Sequence, residues 1–170
     1  TTMQALRAGY VRSGRSTDYA YQTRVPESRG VWQRFRVNAT STSKGIYIVM
    51  RALPRATPTL GDMEGISDSL RRALYPASGL VCVSGVMGSG KSTLLAAVIR
   101  TGLSGAAVGR QVLTLEDPIE FDFTGVGASQ REAPIAQSQI HTDVPDWPSG
   151  VRSMTRRKGE IVMVGECRDR

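Results

Sequence analysis

The stretch "LVCVSGVMGSGKSTLLAAVI", Leu80 to Ile99, constrains this chain more than any other. An apolar run enters a glycine-rich turn, passes a lysine and two hydroxyl residues, and continues into a second apolar run. Residues Gly85-Val86-Met87-Gly88-Ser89-Gly90-Lys91-Ser92 match G-x-x-x-x-G-K-[ST] without a gap. The glycines let the backbone curl so that consecutive amides point inward at phosphate oxygens. A helix starting near Lys91 adds the positive end of its dipole. In such a loop Lys91 reaches the β- and γ-phosphates, the Ser92 hydroxyl ligates Mg²⁺, and Thr93 lies by the α-phosphate. A buried strand before the loop and a helix after it are the context the motif requires, and "GLVCVSG" and "KSTLLAAVIRTGL" are expected to supply them.

A phosphate loop does not define a reaction. Hydrolysis also needs a second anchor for Mg²⁺ and a group that orients or deprotonates water. Two acidic strand ends follow the loop. In "VLTLEDPIEF" (Val112 to Phe121) an apolar strand runs into Glu116 and Asp117, and Pro118 stops it. In "EIVMVGE" (Glu160 to Glu166) four apolar residues run into Gly165 and Glu166, the form of a Walker B strand. Ligands of open α/β sheets bind at the carboxyl ends of strands, so both ends are expected to share one crevice with the loop. Glu166 is the preferred general base, Glu116 competes for the role, and Asp117 and Glu166 join Ser92 as candidate metal ligands. A solvated loop carboxylate is the plain alternative for each.

The rest of the chain divides around this core. Before it, "YAYQTRV", "VWQRFRVNATSTS" and "GIYIVMRALP" alternate apolar and polar residues and read as antiparallel strands, the last following a turn near Lys44-Gly45. They form part of a small, mostly antiparallel α+β domain over residues 1–57. "RATPTLGDMEG" has no periodicity and reads as a linker, placed at 58–65. "GISDSLRRALY" has helical spacing. From there strands and helices alternate, which implies a parallel sheet with crossover helices over residues 66–170. His141, the one histidine, is expected in a loop before the helix of "VPDWPSGVRSMTRRKG".

Composition narrows the class further. At 40% hydrophobic and 22% charged residues, the chain is an ordinary globular one. No stretch approaches about 18 uninterrupted apolar residues, so no membrane span is expected, and "TTMQALRAG" lacks the form of a secretory leader. Cys82 and Cys167 form neither a disulfide framework nor a metal spacing; they read as buried thiols in a reducing cytoplasm. A net charge of +7 arises from scattered arginines, without interleaved aromatics, so nucleic acid is not the favoured partner. The densest basic run, "RSMTRRKGE" (Arg152 to Glu160), reads first as a solvated helix end.

Taken in order, "GSGKST", "TLEDPIEF" and "VMVGECRD" resemble the motifs of the secretion and motility ATPase superfamily, which includes pilus extension and retraction motors and type II and type IV secretion ATPases. "EDPIEF" resembles its Asp box and "VGECRD" its Walker B box. "RFRVNAT" is most similar to the branch serving Dot/Icm secretion and conjugative plasmid transfer. The resemblance implies a RecA-like P-loop core, preceded by part of the family's N-terminal domain, with the family's His box lying beyond Arg170. It implies a hexameric ring binding ATP and Mg²⁺ between subunits, in the cytoplasm and peripheral to a bacterial inner membrane, working on a secretion or pilus-assembly platform. It also implies arginines acting in trans, and Arg34, Arg36 and Arg51 stand at matching positions. The implied function is ATP-driven domain motion that moves a substrate or a pilus. The rivals are a small-molecule kinase, a nucleic-acid translocase, and a scaffold that binds ATP with negligible turnover.

Overall fold

Alternating side chains build the first of two sheets. Strands β1 (Thr17–Arg24), β2 (Trp32–Thr42) and β3 (Gly45–Ala52) pair antiparallel in the order β1-β2-β3. They belong to a computed structural model that describes residues 16–24, 32–103, 105, 110–123 and 135–166. Thr42 pairs with Gly45, so Ser43 and Lys44 make a two-residue turn that sets the register of the hairpin. That register places Tyr19, Val37 and Met50 in one row and Ala20, Arg36 and Arg51 in the next. Because side chains alternate, Phe35, Val37, Ala39, Ile48 and Met50 share one face and Arg34, Arg36 and Arg51 share the other. Val37 and Ala39 are buried, whereas β3 is exposed at every residue.

The chain forms two compact units, Thr1–Arg55 and Ala56–Arg170. The second is a layered α/β structure. Strand β4 (Val112–Glu116) lies between β5 (Ile135–Gln139) and β6 (Ile161–Val164), parallel to both. All five residues of β4 are buried, as expected of a strand covered on both faces. On one face, Ala96, Ile99 and Leu103 of helix α2 (Lys91–Leu103) pack with Val112, Phe121 and Phe123. On the other, Met154 of helix α3 (Trp147–Arg156) packs with Leu113, Leu115 and Ile140. A third cluster joins Ala97 of α2 to Leu60, in a 3-10 turn at Leu60–Asp62, and to Leu74, which ends helix α1 (Asp68–Ala73).

Two local devices set α3 against the sheet. Asp146 caps its first turn, its Oδ1 accepting from the Ser149 amide at 2.7 Å. Gly150 then allows close approach, because a Cβ there would stand 2.7 Å from both Leu115 methyl carbons. Thr57 and Leu60 tie the start of the unit down. The Thr57 hydroxyl donates to the Asp122 carbonyl at 3.2 Å, and the Leu60 amide donates to the Thr101 hydroxyl at 2.8 Å.

Two expectations are corrected. "GLVCVSG" does not form a buried strand: Leu80–Ser84 has no ladder partner among the described residues, and Leu80 is 87% exposed. An apolar run becomes a strand only where a neighbour offers amides and carbonyls in register, and none of the described strands pairs with this one. Cys82 is accordingly exposed, not a buried thiol; Cys167 lies outside the described residues. "IAQSQ", a segment for which no element was expected, is strand β5.

Candidate active site

The phosphate loop follows from its glycines. Gly88 and Gly90 take φ of 79° and 90°, a region that favours glycine. The Ser89 amide donates to the Val86 carbonyl at 3.2 Å, closing the turn. The first helical bond, from the Leu94 amide to the Gly90 carbonyl, is 2.8 Å long, and α2 begins at Lys91. Its opening amides have no partner within the helix, which makes this end a natural anion seat. The Lys91 ammonium donates to the Gly85 and Val86 carbonyls at 2.9 and 2.8 Å, arching over the loop. Gly85 through Gly90 thus form a turn that leads directly into α2, with Lys91, Ser92 and Thr93 in the first turn of the helix.

The acidic corner lies at the carboxyl ends of β4 and β6. The Gly165 amide donates to the Leu115 carbonyl at 2.8 Å, bringing the end of β6 against the end of β4. A Cβ at Gly165 would stand 3.4 Å from the Glu116 Cγ, so these segments touch. Glu116 and the Gly165-Glu166 step thus come together, with Asp117 following directly. Alternation along β4 puts Thr114 and Glu116 on the side of Val112, the face packed by α2. The helix that starts in the phosphate loop and the side chain of Glu116 consequently lie on one side of the sheet.

Glu116 is 8% exposed. Burial pushes its carboxyl above the ordinary range, aided by the charge of Glu120. Hydrogen bonds from Thr114, Gln137 and the Glu120 backbone amide oppose that shift. The Thr114 hydroxyl donates to Glu116 Oε1 at 2.6 Å, and Gln137 Nε2 donates to the same oxygen at 3.2 Å. Neither partner was anticipated. The i, i+2 spacing of Thr114 and Glu116 within a buried strand was the available signal for the first. Gln137 carried none, because its place depends on the pairing of β5 with β4.

Arg34, Arg36 and Arg51 belong to the first unit, on one face of its sheet, with Arg36 directly opposite Arg51. Like charges placed so are unfavourable in a sheet. Arg24 lies on this face too, its guanidinium 5.1 Å from the Trp32 ring centroid. His141 sits in the turn after β5 at φ 61°, its amide donating to the Val144 carbonyl at 2.7 Å. Arg152 on α3 donates to the Ser149 hydroxyl at 3.1 Å. Among the described residues no group of three or more His, Cys, Asp or Glu forms a metal cage. Mg²⁺ does not require one, since it is usually held by one or two carboxylates together with substrate phosphates.

A phosphate loop opening a helix, beside a parallel sheet with acidic residues at its strand ends, defines a P-loop nucleotide-binding protein with a RecA-like core. The model of the type II/IV secretion system protein family matches residues 21–170, and the chain belongs to that family. It is 35% identical over 153 residues to the type IV pilus retraction ATPase PilT of Pseudomonas aeruginosa, covering 90% of this chain and 40% of PilT. It is 36% identical over 141 residues to the type II secretion system ATPase E of Vibrio cholerae, covering 79% of this chain and 25% of that protein. Among solved structures, the Legionella pneumophila ATPase DotB superposes with a TM-score of 0.76 at 39% identity, covering 96% of this chain and 44% of DotB. The pilus retraction motor PilT with bound ADP gives a TM-score of 0.79 at 26% identity, with the same coverage of 96% and 44%. The chain thus spans less than half the length of these relatives.

Proposed function

We propose that this chain is part of an ATP-hydrolysing motor subunit of a type IV secretion-type apparatus. The supporting observation is the acidic corner, where a buried, hydrogen-bonded Glu116 meets the Gly165-Glu166 step on the side of the sheet carrying the phosphate-loop helix. The loop amides and Lys91 hold the β- and γ-phosphates of ATP. Ser92, with Asp117 and Glu166, supplies hard oxygen donors suited to Mg²⁺. Bound there, Mg²⁺ would neutralise charge on the phosphates. A base works best when its proton affinity is raised toward the working pH, and the burial of Glu116 supports giving it that role, with Glu166 orienting. Arg34, Arg36 and Arg51 present planar cations that suit charge developing on a transferred phosphoryl group, offered to a neighbouring subunit's site. The working form is then a homohexameric ring on a membrane platform, cytoplasmic and peripheral to the inner membrane.

The 39% identity to DotB supports a Dot/Icm or conjugative transfer role, and identities of 35% to PilT and 36% to the type II secretion ATPase make pilus retraction and type II secretion the alternatives. The test is ATP hydrolysis by the full-length protein across a concentration series, beside Lys91→Ala, Glu116→Gln and Glu166→Gln. Turnover per subunit should rise as rings form, be lost in Lys91→Ala and Glu166→Gln, and fall to a measurable remainder in Glu116→Gln. Turnover independent of concentration would indicate a self-contained site, and tight binding without turnover would indicate a scaffold.

A further inference from the structure

Glu116 is held by its neighbours. Thr114 is completely buried, and its hydroxyl is committed to Glu116 Oε1. Gln137 stands opposite Thr114 in the β4–β5 ladder and reaches the same oxygen. The same Gln137 amide also closes on the segment that returns from the site. Its Nε2 donates to the Phe121 carbonyl at 2.9 Å, and its Oε1 accepts from the Phe123 amide at 2.9 Å. Gln139, two residues on, accepts from the Ile119 amide at 3.3 Å. A strand with polar side chains on its inner face thus pins Ile119 to Phe123, and one of those side chains also grips the carboxylate.

We propose that Thr114 and Gln137 are positioning residues for ATP hydrolysis, fixing Glu116 in one rotamer through their hydrogen bonds to Oε1. The inference rests on the reading of Glu116 as the base. In the step concerned, the water oxygen bonds to the γ-phosphorus while the bond to the β–γ bridging oxygen breaks. The electron pair leaves with ADP, and the water proton passes to Glu116. A base must sit within hydrogen-bond reach of that proton, so a carboxylate free to swing loses rate without losing substrate. Outer partners that orient a reactive group typically matter about ten- to a hundred-fold.

The experiment is a double-mutant cycle in the full-length protein: Thr114→Val, Thr114→Ser, Gln137→Leu and Glu116→Gln, with Thr114→Val and Gln137→Leu also combined with Glu116→Gln. Each protein is assayed for kcat, KM, ADP affinity and thermal melting. Thr114→Val and Gln137→Leu should lower kcat about ten- to a hundred-fold, with KM and ADP affinity unchanged. Thr114→Ser should restore most of kcat, because it keeps the hydroxyl. On the Glu116→Gln background neither substitution should lower kcat further. Additive losses on that background would overturn the inference, as would a KM effect equal to the kcat effect. Wild-type kcat in Glu116→Gln would overturn the underlying reading of the base instead. Should Thr114→Val not fold, Gln137→Leu carries the same cycle.

Discussion

Gly150→Ala tests how closely α3 is seated on β4. In an exposed helix the change would be favourable by about 1 kcal/mol, the propensity difference between the two residues. Here the new Cβ would lie 2.7 Å from both Leu115 methyl carbons and 3.3 Å from its Cγ. Ordinary carbon contacts are about 3.5–4.0 Å, so the overlap approaches 1 Å. Leu115 is fully buried and cannot swing aside into solvent. Overpacking of this kind costs about 1–3 kcal/mol, which outweighs the propensity gain and leaves the protein less stable by up to about 2 kcal/mol. Urea unfolding of wild type, Gly150→Ala, Leu115→Ala and the double variant measures it. Truncating Leu115 removes the obstructing methyls, so the double variant should be more stable than the sum of the single effects. A Gly150→Ala protein about 1 kcal/mol more stable than wild type would show that propensity alone acts there, and would refute the close seating. Leu115 lies between Thr114 and Glu116, so the destabilised variant should also turn over ATP more slowly.

Phe123→Ala removes a ring that is 1% exposed in the α2-side cluster and should cost about 3–5 kcal/mol in urea unfolding. Arg51→Gln removes a like charge facing Arg36; in dilute protein it should raise stability by about 0.2–1 kcal/mol while lowering ATP turnover. Glu116 sets a pH dependence. Its folded carboxyl lies above the ordinary value, so its contribution is full below the unfolded pKa and is lost as pH rises through the raised one. Nucleotide-free protein in a chelator should therefore lose stability across that rise, and Glu116→Gln should flatten the profile and melt higher at neutral pH. A profile identical in wild type and Glu116→Gln would contradict the burial of the charge.

Much of the site was legible because it depends on local chemistry. Glycines at fixed intervals before Lys91 dictate a loop whatever surrounds it, and alternation along β2 already places Arg34 and Arg36 on one face. Arg51 joins them only through the register set by the turn at Ser43 and Lys44, which the sequence suggested without settling to the residue. The failures concern strands. β5 contains two glutamines and a serine, a composition typical of loops. It is a strand because β4 offers a ladder and because Gln137 and Gln139 find partners across the sheet. Leu80–Ser84 has the composition of a strand and lacks a ladder among the described residues. Strand identity is a property of pairs, and a single segment carries only half of it.

The exposed hairpin arm has a consequence for handling the protein. Ile46, Tyr47, Ile48, Val49 and Met50 are 41–62% exposed on the outer strand of the first unit's described sheet. They form an uncharged run of three β-branched residues, a tyrosine and a methionine, without proline or glycine, on a strand whose outer side has no ladder partner among the described residues. Such a run is adhesive toward its own copies. Encounters between two chains scale with the square of concentration, whereas the folding of one chain does not, so clumping overtakes solubility at a threshold. Lys44 and Arg51 flank the run as gatekeepers. Neutralising both should lower that threshold, while a lysine in place of Ile48 should raise it, and light scattering across a dilution series would read both.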